Sequence, residues 1–321
     1  MIDNFGRDIN YFRVSVTDRC NLRCLYCMPR VGVPKKRHED ILSLELIYKI
    51  CQSAVALGIK KIRLTGGEPL IRKNIVRLVR DLAGLKRFGL RELTMTTNAV
   101  LLAQYASELK AAGLDRVNIS LDSLREEKFT DITGRAGAMR EAQAGLRAAL
   151  EAGLSPVKVN VVLIGGVNED EIEDFVNLTR EEGVEVRFIE LMPLGEAGAW
   201  EKARFIPNTE VLRRVPRLVP IAGRRGGMVA RLYRLPEAAG TVGLISPLSS
   251  HFCAECNRIR LTPDGKLKPC LHSAEELDFR AYGENRLSEF LSDGIRRKPD
   301  RHMMRDSNFV PVARKMHEIG G

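Results

Sequence analysis

Residues 42–66 read LSLELIYKICQSAVALGIKKIRLTG. Over residues 42–58 the apolar side chains recur at helical spacing, and the run stops at Gly58, a common helix terminator. Residues 60–66 form a short apolar run of strand length, closed by Gly66. The same alternation continues in both directions. Strand candidates are YFRVSVT (11–17), ELTMTT (92–97), RVNISLD (116–122), VKVNVVLI (157–164) and VEVRFIELM (184–192). Helix candidates lie between them at 74–84, 101–113, 139–153 and 170–183, each closing on glycine. Parallel strands need crossovers, so such repeats predict a parallel sheet with helices outside. Six strand candidates fall short of the eight that close a barrel. The expected fold class is α/β, an open, partial (βα)6 TIM-like barrel over residues 1–195. The repeat is then lost. Residues 196–321 are expected to form a C-terminal α+β extension, with β-like runs at 228–235 and 241–246.

Composition narrows the class of protein. The balance of 44% hydrophobic and 29% charged residues is that of a soluble globular chain. There is no apolar run long enough to span a bilayer. The opening MIDNFGRDINYF lacks the basic-then-apolar layout of a signal peptide, so a cytoplasmic location is expected. A net charge of +10 points to an anionic partner: a nucleotide, a nucleic acid or an acidic membrane. Six of the seven cysteines fall into two groups of three, which in a chain of this kind suggests metal binding. Cys51 stands apart inside the 42–58 helix and is read as core packing.

The first group is Cys20-Asn-Leu-Arg-Cys24-Leu-Tyr-Cys27. A 4Fe–4S cluster usually takes four thiolates, so three leave one iron open for reaction. Zinc would need a fourth ligand; Asn21 and Tyr26 cannot serve, and His38 could do so only if its basic loop folded back. Gly66-Gly67-Glu68-Pro69 follows a strand directly: the glycines allow close approach to a ligand, and Glu68 offers an acceptor for an ammonium. Other polar motifs sit at strand ends: Thr96–Asn98, Ser120–Asp122 and Glu190–Pro193. In parallel α/β folds the carboxyl ends of the strands carry the active site. With no phosphate-binding GxxxxGK[ST] loop, an anionic ligand would be held by Arg13, Arg63, Thr96 and Lys158 near that mouth. The second group is Cys253, Cys256 and Cys270, read from FCAECNRIRLTPDGKLKPCLH (252–272). On spacing alone, a zinc site completed by His251 or His272 remains open here.

With these motifs together, the chain resembles the radical S-adenosylmethionine (SAM) superfamily, whose signature is CxxxCxxC with an aromatic residue, here Tyr26, before the last cysteine. Within it, the chain is similar along nearly its whole length to the GTP 3′,8-cyclases, the molybdenum cofactor biosynthesis protein A family. The similarity rests on SVTDRCNLRCLYCMP, IRLTGGEPL, NISLDSL, VKVNVV, RFIELMP, FCAECNRIRLTPDGKLKPCL and the terminal Gly320-Gly321. The resemblance implies two 4Fe–4S clusters, on Cys20, Cys24 and Cys27 and on Cys253, Cys256 and Cys270, with SAM as cofactor. It implies SAM contacts from Tyr26, Gly67, Ser120 and Met192. It implies GTP contacts from Arg13, Arg63, Thr96, Lys158, Arg258, Ile259 and Arg260, and catalytic roles for the first three cysteines with Arg258 and Arg260. The family's C-terminal glycines enter the active site. GTP, a reductant or electron-donor protein and, in the pathway, an enzyme receiving the product are the implied partners. Neither nucleic acid nor membrane is expected, and monomer and homodimer both stay open. Two features depart from the family: Ala99 stands where glycine is common, and the loop Val31–Asp40 is more basic. The competing readings are a peptide-modifying radical SAM enzyme with an auxiliary cluster and a zinc-dependent nucleic-acid-binding protein. The first is disfavoured by the small number of cysteines and the Arg258/Arg260 pair, the second by the absence of a reading motif.

Overall fold

The first helix, α1 (Leu44–Ala56), begins where Ser43 accepts a hydrogen bond from the Leu46 amide at 3.1 Å. It buries Ile47, Ile50, Cys51, Ala54 and Val55, so Cys51 is a core residue. The chain turns at Gly58, whose φ of +98° suits glycine, and enters a strand. The computed structural model describes all residues except 35, 196, 198–200, 223–228, 305–311 and 321. The side chains of His38, Glu201 and Lys202 also lie outside the described set, as does Gly321 of the terminal pair.

Six parallel strands follow in sequence order: β1 (Tyr11–Ser15), β2 (Lys61–Thr65), β3 (Glu92–Thr97), β4 (Arg116–Ser120), β5 (Lys158–Leu163) and β6 (Glu185–Glu190). The crossover helices are α1, α2 (Ile75–Ala83), α3 (Leu102–Ala111), the pair α4 (Glu126–Thr133) and α5 (Ala138–Glu151), and α6 (Ile172–Glu181). The C-terminal region supplies β7 (Val219–Pro220), β8 (Arg231–Arg234), β9 (Thr241–Ile245), β10 (Arg258–Leu261), β11 (Lys266–Lys268) and β12 (Leu277–Asp278). These join the same sheet, whose order is β12-β11-β10-β1-β2-β3-β4-β5-β6-β9-β8-β7. The barrel is open and partial, as expected. Parallel pairing extends one strand further at each side, because β10 pairs parallel to β1 and β9 parallel to β6.

The strands alternate in an unusual sense. Phe12 and Val14, Ile62 and Leu64, Leu93 and Met95, and Val117 and Ile119 all pack into the main core. That core lies between the sheet and the helices. The alternate residues point the other way, and they are Tyr11 and Arg13, Lys61 and Arg63, Arg116 and Asn118, and Lys158 and Asn160. Side chains of successive strand residues face opposite sides, so the interior of the partial barrel is polar. Instead of the packed side-chain layers of a closed barrel, it holds a chamber.

Candidate active site

The chamber has a volume of about 680 Å³. Among the described residues its wall carries nine lysines and arginines against one carboxylate, Glu92. Lys61 lies 2.6 Å from Glu92, which also pairs with Arg116. Lys158 lies 2.6 Å from Glu185, which also pairs with Arg187. These two carboxylates are shared among four cations, and Arg13, Arg63, Arg258 and Arg260 crowd the remaining wall. Burial and neighbouring cations press Arg13 down to about 10, Arg63 to about 9 and Lys158 to about 8. The Nε atoms of Arg63 and Arg258 and Oδ1 of Asn160 are buried there without a hydrogen-bond partner among the described residues. Buried cations with unsatisfied donors are costly unless an anion completes them.

The placement corrects two expectations. Lys158 is the first residue of β5, so it stands at the amino-terminal end of the barrel rather than at the mouth. Arg13, Arg63 and Arg260 lie in register at mid-strand. Ile259 faces away from the chamber into the core and is fully buried, so its side chain cannot touch a ligand there. Thr96 accepts a hydrogen bond from Arg63 Nη1 at 3.2 Å and so orients that guanidinium. Lys61, Arg116, Arg187 and Lys298 line the chamber although the motifs do not single them out. The first three carry a sequence signal, being alternate residues in recognisable strands. Lys298 carries none.

Cys253, Cys256 and Cys270 line the chamber at its amino-terminal side, just before β10 and after β11. Arg7, 7% exposed, fixes this loop: it pairs with Asp3 at 2.7 Å and donates to the carbonyls of Cys253, Pro299 and Asp300. Lys298 donates to the carbonyls of Arg258 and Pro269 at 2.8 and 2.9 Å, tying both cysteine segments together. Burial raises the Cys256 thiol, but Lys298 and Arg258 outweigh it and bring it down to about 7. Cys20, Cys24 and Cys27 follow the opposite, carboxyl end of β1. Burial lifts Cys20 to about 11 and Cys27 to about 12. The three cysteines share one short loop, in which the Cys27 amide donates to the Cys24 carbonyl at 2.9 Å. Among the described residues no three His, Cys, Asp or Glu side chains close around a single ion. The thiolates of a cube bind different irons rather than one ion, so three cysteines on one loop are a donor set that fits a 4Fe–4S cluster with one open iron.

The GGEP segment packs directly on the first cysteine loop. Gly67 and Glu68 donate backbone hydrogen bonds to the carbonyls of Thr17 and Arg19, both at 2.8 Å. A Cβ on Gly67 would run into the Arg19 carbonyl, so a side chain is excluded. The Glu68 carboxylate is anchored within the protein: it accepts from Thr97 Oγ1, the Asn98 amide and the Leu70 amide at 2.7, 2.7 and 3.0 Å. Burial pushes it up to about 7. Tyr26 donates to Asp122 at 2.6 Å, and Asp122 also accepts from the Val162 amide, joining the cysteine loop to β4 and β5. Ser120 ends β4, and Met192 lines the chamber beside Met316 of the tail. Ala99 adopts a φ of +62°, the left-handed conformation for which glycine is the usual residue.

The tail joins the two halves of the site. His317 Nδ1 lies 3.4 Å from the Cys27 carbonyl, and Arg260 donates to the Gly320 carbonyl at 2.7 Å. Gly320 sits against Ser15 and Thr65 with no room for a Cβ. The first triad is not part of the chamber wall; the tail lies between them. Lys36, in the basic loop, pairs with Asp264 at 3.1 Å, and Arg314 reaches Asp264 and Glu276.

Two family models cover most of the chain. Residues 14–179 match the radical SAM superfamily and residues 184–304 match Molybdenum Cofactor Synthesis C. A GTP 3′,8-cyclase of Alkaliphilus metalliredigens is 51% identical, over 100% of both chains. The chain belongs to the GTP 3′,8-cyclase family. A second member, from Peptoclostridium acidaminophilum, is also 51% identical, over 100% of this chain and 98% of its own. Among solved structures, Streptococcus suis SuiB bound to S-adenosylmethionine superposes with a TM-score of 0.61. At 14% identity, over 90% of this chain and 68% of that one, it supports the fold alone.

Proposed function

We propose that this chain converts GTP to (8S)-3′,8-cyclo-7,8-dihydroguanosine 5′-triphosphate, the first step of molybdenum cofactor biosynthesis, as a radical SAM lyase. The observation that carries the reading is the chamber: a buried excess of cations beside three cysteines. When bound, a reduced 4Fe–4S cluster would supply the one electron that cleaves SAM for abstraction of the ribose 3′ hydrogen, and closing the C3′–C8 bond would then take up one further electron and one proton. Cys20, Cys24 and Cys27 would hold that cluster, with Tyr26, Gly67, Ser120 and Met192 around SAM. Cys253, Cys256 and Cys270 would hold the second, beside the purine. Arg13, Arg63, Lys158, Arg258 and Arg260 supply charge for the triphosphate, and the guanidinium forks of the four arginines match phosphate oxygens. Holding one ribose hydrogen against the radical is the main contribution of the protein. In this reading residues 1–195 carry the SAM chemistry and residues 196–321 bring the second cluster, Arg258, Arg260 and the tail.

An external reductant or electron-donor protein completes the turnover in a cytoplasmic enzyme. The test is anaerobic reconstitution with iron and sulfide, then incubation with SAM, dithionite and GTP deuterated at C3′. The expected result is the cyclised triphosphate with deuterium in 5′-deoxyadenosine. Deoxyadenosine without deuterium, or unchanged GTP, would overturn the assignment.

A further inference from the structure

Tyr11 stands inside the chamber, among its cations. It is the first residue of β1 and 9% exposed. Its cross-strand partners are both cationic: Arg258 on β10 and Lys61 on β2. The Lys61 ammonium lies 4.8 Å from the ring centroid, and the guanidinium carbons of Arg63 and Arg258 lie 5.7 and 5.9 Å from it. Arg13 Nη1 approaches the phenol oxygen at 3.5 Å. Three cations from two strands thus face one aromatic ring, and a fourth, from β1 itself, meets its hydroxyl.

Those cations would otherwise repel one another in a space where Glu92 is the one carboxylate of the described wall. The face of an aromatic ring carries partial negative charge and attracts a cation without neutralising it or filling its outward hydrogen-bonding sites. A carboxylate at this position would compete with a phosphate. A ring holds the cations in place without taking up their donors, and the Nε atoms of Arg63 and Arg258 have no hydrogen-bond partner among the described residues. Donors already in position need no rearrangement when the anion arrives.

We propose that Tyr11 is a positioning residue of the polyphosphate grip, its ring holding Lys61, Arg63 and Arg258 apart and in place for an anionic ligand. The inference rests on the reading of the chamber as the site of a nucleoside triphosphate. It concerns the ring rather than the hydroxyl, so Tyr11→Phe and Tyr11→Leu should part company.

The test is calorimetric titration of the full chain with inorganic triphosphate and, separately, with GTP, for wild type, Tyr11→Phe, Tyr11→Leu and Tyr11→Met. Tyr11→Phe should bind both ligands within about threefold of wild type. Tyr11→Leu and Tyr11→Met should bind both about tenfold more weakly, the scale of one desolvated cation–π interaction. In the reconstituted enzyme the same variants should raise KM for GTP more than they lower kcat, and KM for SAM should stay at the wild-type value. Equal binding by all four proteins, or a loss in Tyr11→Phe as large as in Tyr11→Leu, would overturn the proposal. Tyr11→Met keeps the test valid should Tyr11→Leu fold poorly. A wild-type chain that binds triphosphate but not GTP would refute the nucleotide reading while leaving the role of Tyr11 measurable.

Discussion

Arg63 is the residue whose placement costs the ligand-free fold most visibly. It is 3% exposed, its Nε has no partner among the described residues, and burial and three other arginines oppose its charge. Replacing Arg63 by Met should stabilise the ligand-free chain by about 1 kcal/mol, because a crowded buried charge gives way to an apolar side chain of similar reach. The same change should weaken GTP binding by roughly ten- to a hundredfold, the value of a charge-assisted hydrogen bond. Denaturant unfolding and calorimetry would read the two effects in opposite directions. Glu68 gives a second test. Its folded pKa of about 7 lies above the usual carboxylate value of 4.5, so the native state holds the extra proton between those pH values. Its contribution is therefore complete below pH 4.5 and lost as pH rises through 7. Relative to Glu68→Gln, wild type should lose on the order of 3 kcal/mol of unfolding free energy across this window. Because the variant keeps every other titrating group, His272 included, the difference isolates Glu68. Ala99 is legible in sequence as a departure from its family, and its φ of +62° gives the physical content of that departure.

At the scale of elements, the helices and parallel strands are legible because their apolar spacing and glycine stops are local signals. The inward face of the strands is equally present in the sequence: K-I-R-L-T at 61–65 already alternates polar with apolar. In sequence it reads as a few unusual cations near a mouth, because nothing in one strand says which face is the chamber. That depends on neighbouring strands and their register. The tail is similar. Gly320-Gly321 can be recognised, but its neighbours cannot, since Ser15 and Thr65 are some three hundred and some two hundred and fifty residues away in sequence. Gly320→Ala would drive a Cβ into Thr65 Oγ1 and bring it to 2.9 Å from Ser15 Cβ. The expected loss in kcat is on the order of a hundredfold, as for a small misplacement near reacting groups. The melting temperature should not change, because little of the core depends on the tail. Arg314→Gln should release the same segment by a different route, by removing its pairs with Asp264 and Glu276. Hydrogen exchange over residues 312–320 should then rise in the variant, with the barrel strands unaffected.

At the scale of the whole molecule, the site has two ends. One cysteine triad follows the carboxyl end of β1; of the other, Cys253 and Cys256 precede the amino end of β10 and Cys270 follows β11, which returns antiparallel to that end, and β1 and β10 are parallel neighbours. The triads therefore belong to opposite ends of the barrel, with the cation-lined interior and the tail between them. Sequence spacing identifies both triads and cannot reveal this opposition, which follows from β10 lying parallel beside β1. The measurement that tests it most directly is iron and sulfide per chain after anaerobic reconstitution, with Mössbauer spectra, for wild type, Cys24→Ala and Cys256→Ala. Two separate cubes predict about eight irons in wild type and about four in each variant, the survivor differing between them. A folded wild type that binds zinc, or that takes up only about four irons, would contradict the account.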